Sequence, residues 1–252
     1  SSVPLSWLEG KLPMPTPEEI IYNNIRRVKE KAFVHSTFYY ERRDGSQFLA
    51  DTLAQGLDIR YNTPVEALTL TPQGSWDING TPYDTVIFCG NIRQLPSMLR
   101  GLDISGYTSD IESLESHGTT SVFCEIAPNP YSWIYLPDSR YDAHRIICTG
   151  NFSPTNNAPG HMTATVEFTD SISHDEILRQ LPSIPFSPRY ITHRYNPCTY
   201  PIQHADTRNM ISSLCDRLAP AGLYLTGRSA LWEYFNMDVA MDSAIRLASR
   251  IS

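Results

Sequence analysis

Four side chains suited to an anionic, planar ligand crowd one short stretch near the C-terminus. They are Arg228, Trp232, Tyr234 and Asn236, within the sequence GLYLTGRSALWEYFNMD from Gly222 to Asp238. A guanidinium offers paired, charge-assisted donors to phosphate oxygens, and aromatic rings offer flat apolar faces. A short apolar strand (Leu223, Tyr224, Leu225) leads to Thr226-Gly227, where the missing Cβ lets the backbone turn sharply or approach a ligand. Beyond the loop, Met237, Met241, Ala244, Ile245, Ala248 and Ile251 recur at helical spacing. This predicts a helix starting near Asp238, that face buried, with Asn236 or Asp238 able to cap its first turn. Free N–H groups at such a helix start favour negative charge. The same residues would serve equally in a strand–loop–helix unit whose aromatics only pack.

Positioning these groups requires a scaffold, and the chain provides one of mixed type. Thr16 as N-cap, Pro17 in the first turn and Glu19 completing a capping box predict a helix. Ile21, Ile25 and Val28 form its expected buried stripe, and Arg26, Arg27 and Lys29 cluster at its far end. A second helix is expected over Gly45–Ala54 with Phe48, Leu49, Thr52 and Leu53 inward. Leu57–Tyr61 and Val65–Leu70 alternate like strands. Trp76–Ile78 and Tyr83–Ile87 flank Asn79-Gly80, a dipeptide favoured in tight hairpins. The apolar run Thr85–Cys89 before Gly90 fits a strand buried on both faces.

From Thr120 the texture becomes all strand: TSVFCEIA, YSWIYLP, HRIICTG and TATVEF, separated by Pro, Asn or Gly. A helix is expected over Ser173–Leu181, a strand over Tyr190–Tyr195 and a helix over Asp206–Leu218. Thr120–Tyr200 should therefore form a sheet of its own, while Thr85–Cys89 and Gly222–Leu225 lie side by side in a separate layer. The fold class is α/β (α+β): a mixed or antiparallel sheet inserted into a discontinuous α/β layer. The segments are 1–37 (loop and helix), 38–101 (helix and strands), 102–205 (β-rich domain) and 206–252 (closing strand and helix).

The loop reads GR-x(3)-[WY]-x-Y-x-[DN]-M-D, which resembles the C-terminal flavin-contacting segment of UDP-galactopyranose mutases and related FAD-dependent enzymes. The stretch FYYERRDGSQFLADTLAQGLDIRYNTPVEAL (Phe38–Leu68) is similar to a helix and strand of the wider amine-oxidase and mutase-like flavoproteins. Asp44 there replaces the first of two glycines. The resemblance implies that Val65, Gly227, Arg228, Met237 and Asp238 lie at the cofactor, and that Arg228, Tyr234, Tyr200 and Trp232 face a substrate diphosphate. Tyr200 enters through Tyr200-Pro201-Ile202, similar to a segment before the last helix and strand of mutase-like proteins; as bare sequence it is equally a proline-fixed turn.

The implied function is a FAD-dependent mutase or oxidoreductase acting on a nucleotide sugar in polysaccharide or lipopolysaccharide biosynthesis. An amine-oxidase-like dehydrogenase and a non-catalytic binding module are the alternatives. The sequence holds no G-x-G-x-x-G, the motif whose backbone cradles the FAD pyrophosphate. The resemblance thus matches a C-terminal portion of such an enzyme. The expected partner is a missing N-terminal FAD-binding segment, and FAD binding by this chain alone should be weak or absent.

Other chemistries find little support. The seven histidines show no H-E-x-x-H pattern, and no G-x-S-x-G occurs. His144-Arg145 and His193-Arg194 could line a phosphate site or simply pack in strands. Glu125 and Glu167 fall in strands and receive no role. The five scattered cysteines lack C-x-x-C spacing, which argues against zinc and disulfides and for a reducing, cytoplasmic setting. A net charge of −7 argues against non-specific nucleic-acid binding, and no apolar run is long enough for a membrane span.

Overall fold

The computed structural model describes residues 15–28, 37–43 and 45–251. The elements are helices α1 (Pro17–Arg26), α2 (Gln47–Ala54), α3 (Leu95–Met98), α4 (Ser105–Glu112), α5 (His174–Gln180), α6 (Thr207–Leu218), α7 (Gly227–Ala230) and α8 (Met237–Ile251). The strands are β1 (Leu68–Leu70), β2 (Trp76–Ile78), β3 (Thr81–Tyr83), β4 (Val86–Phe88), β5 (Leu99–Arg100) and β6 (Ser116–Ile126). They continue with β7 (Trp133–Tyr135), β8 (Ala143–Ile147), β9 (Met162–Thr169), β10 (Arg189–Pro201) and β11 (Leu223–Leu225).

Among the described residues these strands make three sheets. The largest is antiparallel with order β10-β6-β9-β8-β7. Its β9 alternates strictly: Met162, Ala164, Val166 and Phe168 face a core closed by Ile177 and Leu181, the latter just past the end of α5. Thr163, Thr165, Glu167 and Thr169 therefore face the opposite, polar side, because successive Cβ atoms leave a strand on alternate faces. A second sheet, β3-β2-β1-β5, is mixed. Its hairpin turns at Asn79 (φ 52°) and Gly80 (φ 79°), the left-handed pair that fits the strand twist. In the third, β11 and β4 pair in parallel, with Leu223 opposite Val86 and Leu225 opposite Phe88. These two segments, more than a hundred residues apart in sequence, thus lie side by side outside the large sheet, as expected.

A second core joins that parallel pair to α6 through Ile211, Leu214 and Leu218, with Trp76, Leu95, Ile111 and Trp232 packed in. The fully buried Trp76 donates its ring N–H to the Ala221 carbonyl at 2.7 Å, which ties the hairpin to the turn before β11. No helix among the described residues is long and apolar enough to cross a membrane.

Several expected faces are not buried. The capping box of α1 forms as predicted, but Ile21 (60% exposed) and Ile25 (76%) stand in solvent. Of the side chains expected inward on α2, Phe48, Thr52 and Leu53 are exposed and Leu49 is half-buried. The anticipated stripe of α8 is likewise open at Met237 and Ile245, and Leu247 alone is buried. Nor is β4 covered on both sides, since Ile87 is exposed. Amphipathic spacing reports which face requires a partner; it does not say that this chain supplies one. Leu57–Tyr61 is irregular rather than a strand, ending in a turn at Asn62 (φ 54°) with no ladder partner. The proline-rich opening up to residue 14, together with Lys29 and Asp44, lies outside the described residues.

Candidate active site

The loop after β11 and the end of β10 bring the predicted groups together. Gly227 takes φ +81°, a conformation that L side chains resist, and opens the single-turn α7. Arg228 follows and folds back over two aromatic rings. Its guanidinium carbon lies 4.6 Å from the Tyr234 ring centre and 5.4 Å from that of Tyr200. The two tyrosines stack on one another, centres 5.6 Å apart and planes 15° apart. Tyr200 is presented from β10 just after an irregularity in its pairing with β6, between Asn196 and Tyr200. Such irregularities re-aim side chains at sheet edges.

Arg228 is fixed by backbone alone. Nη1 donates to the Phe235 carbonyl at 3.1 Å and Nη2 to the Thr199 carbonyl. Among the described residues it forms no ion pair. Burial pushes its pKa down, only partly offset by Tyr234 and Tyr200. A half-buried guanidinium held over π faces, with no carboxylate, is a cation in want of an anion.

Beyond Tyr200 a polar relay crosses the large sheet. Arg145 on β8 lies directly opposite Glu167 on β9, and its Nε donates to the Glu167 carboxylate. Its Nη2 donates to the Tyr200 hydroxyl at 2.9 Å. His144 approaches the same carboxylate at 3.5 Å. The Glu167 side chain is only 11% exposed, so the strand glutamate given no role from sequence is a buried ion-pair partner. In TATVEF, Glu167 is flanked by two residues of the apolar face and so belongs to the polar one; its partner, on another strand, carried no local signal.

Burial opposes ionisation of Glu167, but hydrogen bonds from His144 and Arg145 outweigh it and hold the carboxyl below its ordinary pKa. Its contribution to stability is therefore complete above about pH 4.3, the unfolded value, and is lost as pH falls through the lower folded value. Urea unfolding of the parent and of Glu167→Gln should differ by about 1–3 kcal/mol near neutrality and converge in acid. A gap that persisted once the carboxylate is protonated would mean that ionisation of Glu167 contributes nothing.

The remaining predicted residues divide. Met237 (60% exposed) and Asp238 open α8 in solvent, and Val65 (38% exposed) sits in the irregular segment before β1. Trp232 does not face a ligand. It is 1% exposed, takes φ +48°, and donates its ring N–H to the Ile202 carbonyl at 3.3 Å. Its own carbonyl accepts from Gln203 and from Arg208. Gln203 and Arg208 thus pin the loop from below, a role that no sequence spacing signalled. His193 packs among Tyr190 and His174 rather than at this site.

The loop after β11 thus sets a strand-ending glycine, an arginine on stacked tyrosines and a polar sheet face side by side. The profile of the flavin containing amine oxidoreductase family matches residues 18–252. The chain belongs to that family. Among solved structures it is similar to reduced UDP-galactopyranose mutase, with a TM-score of 0.80 at 17% identity over 92% of this chain. It is also similar to a proposed protoporphyrinogen oxidase from Exiguobacterium (0.63, 15% identity, 82% of this chain and 51% of that one). A CLA-producing fatty acid isomerase from P. acnes scores 0.62 at 13% identity, covering 82% of this chain and 52% of that one. At these identities the likeness establishes the fold. The chain spans 56% of the length of the mutase chain. No curated protein sequence matches it.

Proposed function

We propose that this chain is the substrate-binding and flavin-facing portion of a FAD-dependent mutase or oxidoreductase that takes a nucleotide-diphosphate sugar. The observation that carries this reading is the unpaired Arg228 on the Tyr200–Tyr234 stack. It supplies fixed positive charge beside phenol groups, which suits a diphosphate flanked by polar oxygens. Residues 102–205 supply the substrate sheet, and 38–101 with 206–252 supply the flavin-side layer. The free cysteines fit a reducing, cytoplasmic setting, and polysaccharide biosynthesis is the context such a substrate suggests.

The residues present fit part of a flavin site. A Cβ built on Gly227 would meet nothing within 4 Å, so the backbone after β11 borders open space that a planar ring can approach. Gly227, Arg228, Met237 and Asp238 would hold that ring's side, with Val65 assigned to the far end by resemblance. When bound, FAD supplies the electron-transfer or nucleophilic chemistry; Arg228 and Tyr200 bind and orient the diphosphate. The sequence holds no G-x-G-x-x-G, the motif that forms a pyrophosphate cradle. The open faces of α1, α2, α8 and β4 suit a dinucleotide-binding segment, the proposed partner.

Calorimetric titration tests the reading with UDP and uridine as probes, alongside a visible spectrum of the purified chain. UDP is expected to bind and uridine to bind at least tenfold more weakly, because the diphosphate carries the charge, with little absorbance near the flavin bands. Equal affinity for the two would remove the diphosphate assignment. An amine-oxidase-like dehydrogenase is the second reading, favoured by the family match alone; it predicts no preference for UDP.

A further inference from the structure

We infer that Arg145, locked in place by Glu167, is a positioning residue that turns the Tyr200 hydroxyl into a hydrogen-bond donor aimed at a phosphate oxygen. The inference rests on the reading of the Arg228 site as a diphosphate subsite and adds to it a specific donor and its support.

The argument begins with donor and acceptor counting. A guanidinium has five N–H donors and no acceptor. The 2.9 Å contact between Arg145 Nη2 and the Tyr200 oxygen therefore has one possible sense: the phenol accepts. Its own proton must then point away from Arg145. The ring cannot swing freely to follow it, because one face is stacked on Tyr234 and Arg228 rides over both rings. Arg145 is equally constrained. Register places it opposite Glu167, and its Nε is occupied by that carboxylate, so the guanidinium fork has one arm on Glu167 and one on Tyr200. The pair is well shielded, with side chains 21% and 11% exposed. A neutral phenol is the form that donates, and burial raises the Tyr200 pKa despite the opposing charge of Arg145.

The result is a two-part anion subsite: Arg228 supplies charge and Tyr200 an oriented O–H. Arg145 could instead touch phosphate itself, and the two cases differ in additivity. If Arg145 acts through Tyr200, removing both costs no more than removing one; if it binds phosphate directly, the losses multiply.

UDP titrations on the chain, with melting curves for every variant, decide this. The variants are Tyr200→Phe, Arg145→Met with Glu167→Gln to avoid stranding a buried carboxylate, and all three changes together. Tyr200→Phe and the Arg145/Glu167 pair are each expected to weaken UDP about 3- to 10-fold, the loss of one neutral donor. The triple variant should bind no worse than Tyr200→Phe alone. Should the Arg145/Glu167 pair fail to fold, Arg145→Lys takes its place. A lysine point charge keeps Glu167 paired but cannot fork to the phenol, and it should show the same loss and the same non-additivity. Unchanged UDP affinity in a folded Arg145 variant, or multiplying losses, overturns the inference while Arg228→Ala still weakens UDP. If Arg228→Ala leaves UDP binding intact, the diphosphate reading itself fails and this inference goes with it.

Discussion

Replacing Arg228 by alanine is expected to weaken UDP binding by about ten- to a hundredfold, the cost of one charge-assisted contact of roughly 1.5–3 kcal/mol. The melting temperature should stay within a few degrees of the parent. The asymmetry follows from the partners. Among the described residues Arg228 donates to the Thr199 and Phe235 carbonyls alone, and water can replace it there at a half-buried position. Its contacts with Tyr200 and Tyr234 are cation–π contacts worth about 0.5–1 kcal/mol each when partly exposed, and the rings keep their own stack without it. What cannot be replaced is a fixed cation facing no carboxylate. Tyr234→Phe should cost less, since only a hydroxyl is lost and the ring still packs. In the flavin-loaded enzyme the same Arg228→Ala change should lower turnover on a nucleotide-diphosphate sugar by a similar factor. A large drop in melting temperature with unchanged UDP affinity would instead make Arg228 a structural residue, and the functional reading of the Gly227–Asp238 loop would fall.

Much of the fold was legible because its signals are local. The Thr16–Glu19 capping box, the Asn79-Gly80 turn and the strand TATVEF each depend on a few adjacent residues, and each forms as read. The pairing of β4 with β11 was legible for a different reason: both are short apolar runs followed by, or close to, a glycine, as parallel strands often are. The grouping of Arg228 with Tyr234 was legible through a resemblance in the loop, and that of Tyr200 with them through a weaker one. What failed was burial. The apolar stripes of α1 and α8 are real, yet a stripe states a preference and the covering partner is a separate fact. Trp232 failed in the opposite sense. An aromatic in a ligand-like loop was read as facing outward, whereas a left-handed backbone at φ +48° turns it into the core. The Arg145–Glu167 pair lay beyond reach for a third reason, since its members sit on different strands and meet only through register.

Arg208 offers the sharpest contrast with Arg228, because the two guanidiniums grip the same loop and are expected to respond in opposite ways. Arg208 uses four of its five donors: Nε donates to Gln203 at 2.9 Å, Nη1 to Glu233 at 2.6 Å, and Nη2 to the Leu231 and Trp232 carbonyls at 2.7 and 2.6 Å. Burial lowers its pKa while Glu233 opposes the shift, so the cation is matched by a carboxylate that Arg228 lacks. Arg208→Met removes four hydrogen bonds at once: Glu233, Gln203 Oε1 and the Leu231 carbonyl lose this donor, and the Trp232 carbonyl keeps only Gln203. Fold stability should fall by about 2–4 kcal/mol, on the order of 5–10 °C in melting temperature for a chain of this size. The Trp232 backbone, held at positive φ by these bonds, is where the loop should loosen first. Hydrogen exchange over Leu231–Phe235 checks this: amides there should lose protection before those of β6 and β9. UDP affinity should drop only as far as Tyr234 becomes mobile, by severalfold rather than a hundredfold. If Arg208→Met left stability intact and abolished UDP binding, the roles of the two arginines would have to be exchanged, with Arg208 as the phosphate ligand and Arg228 as the pin.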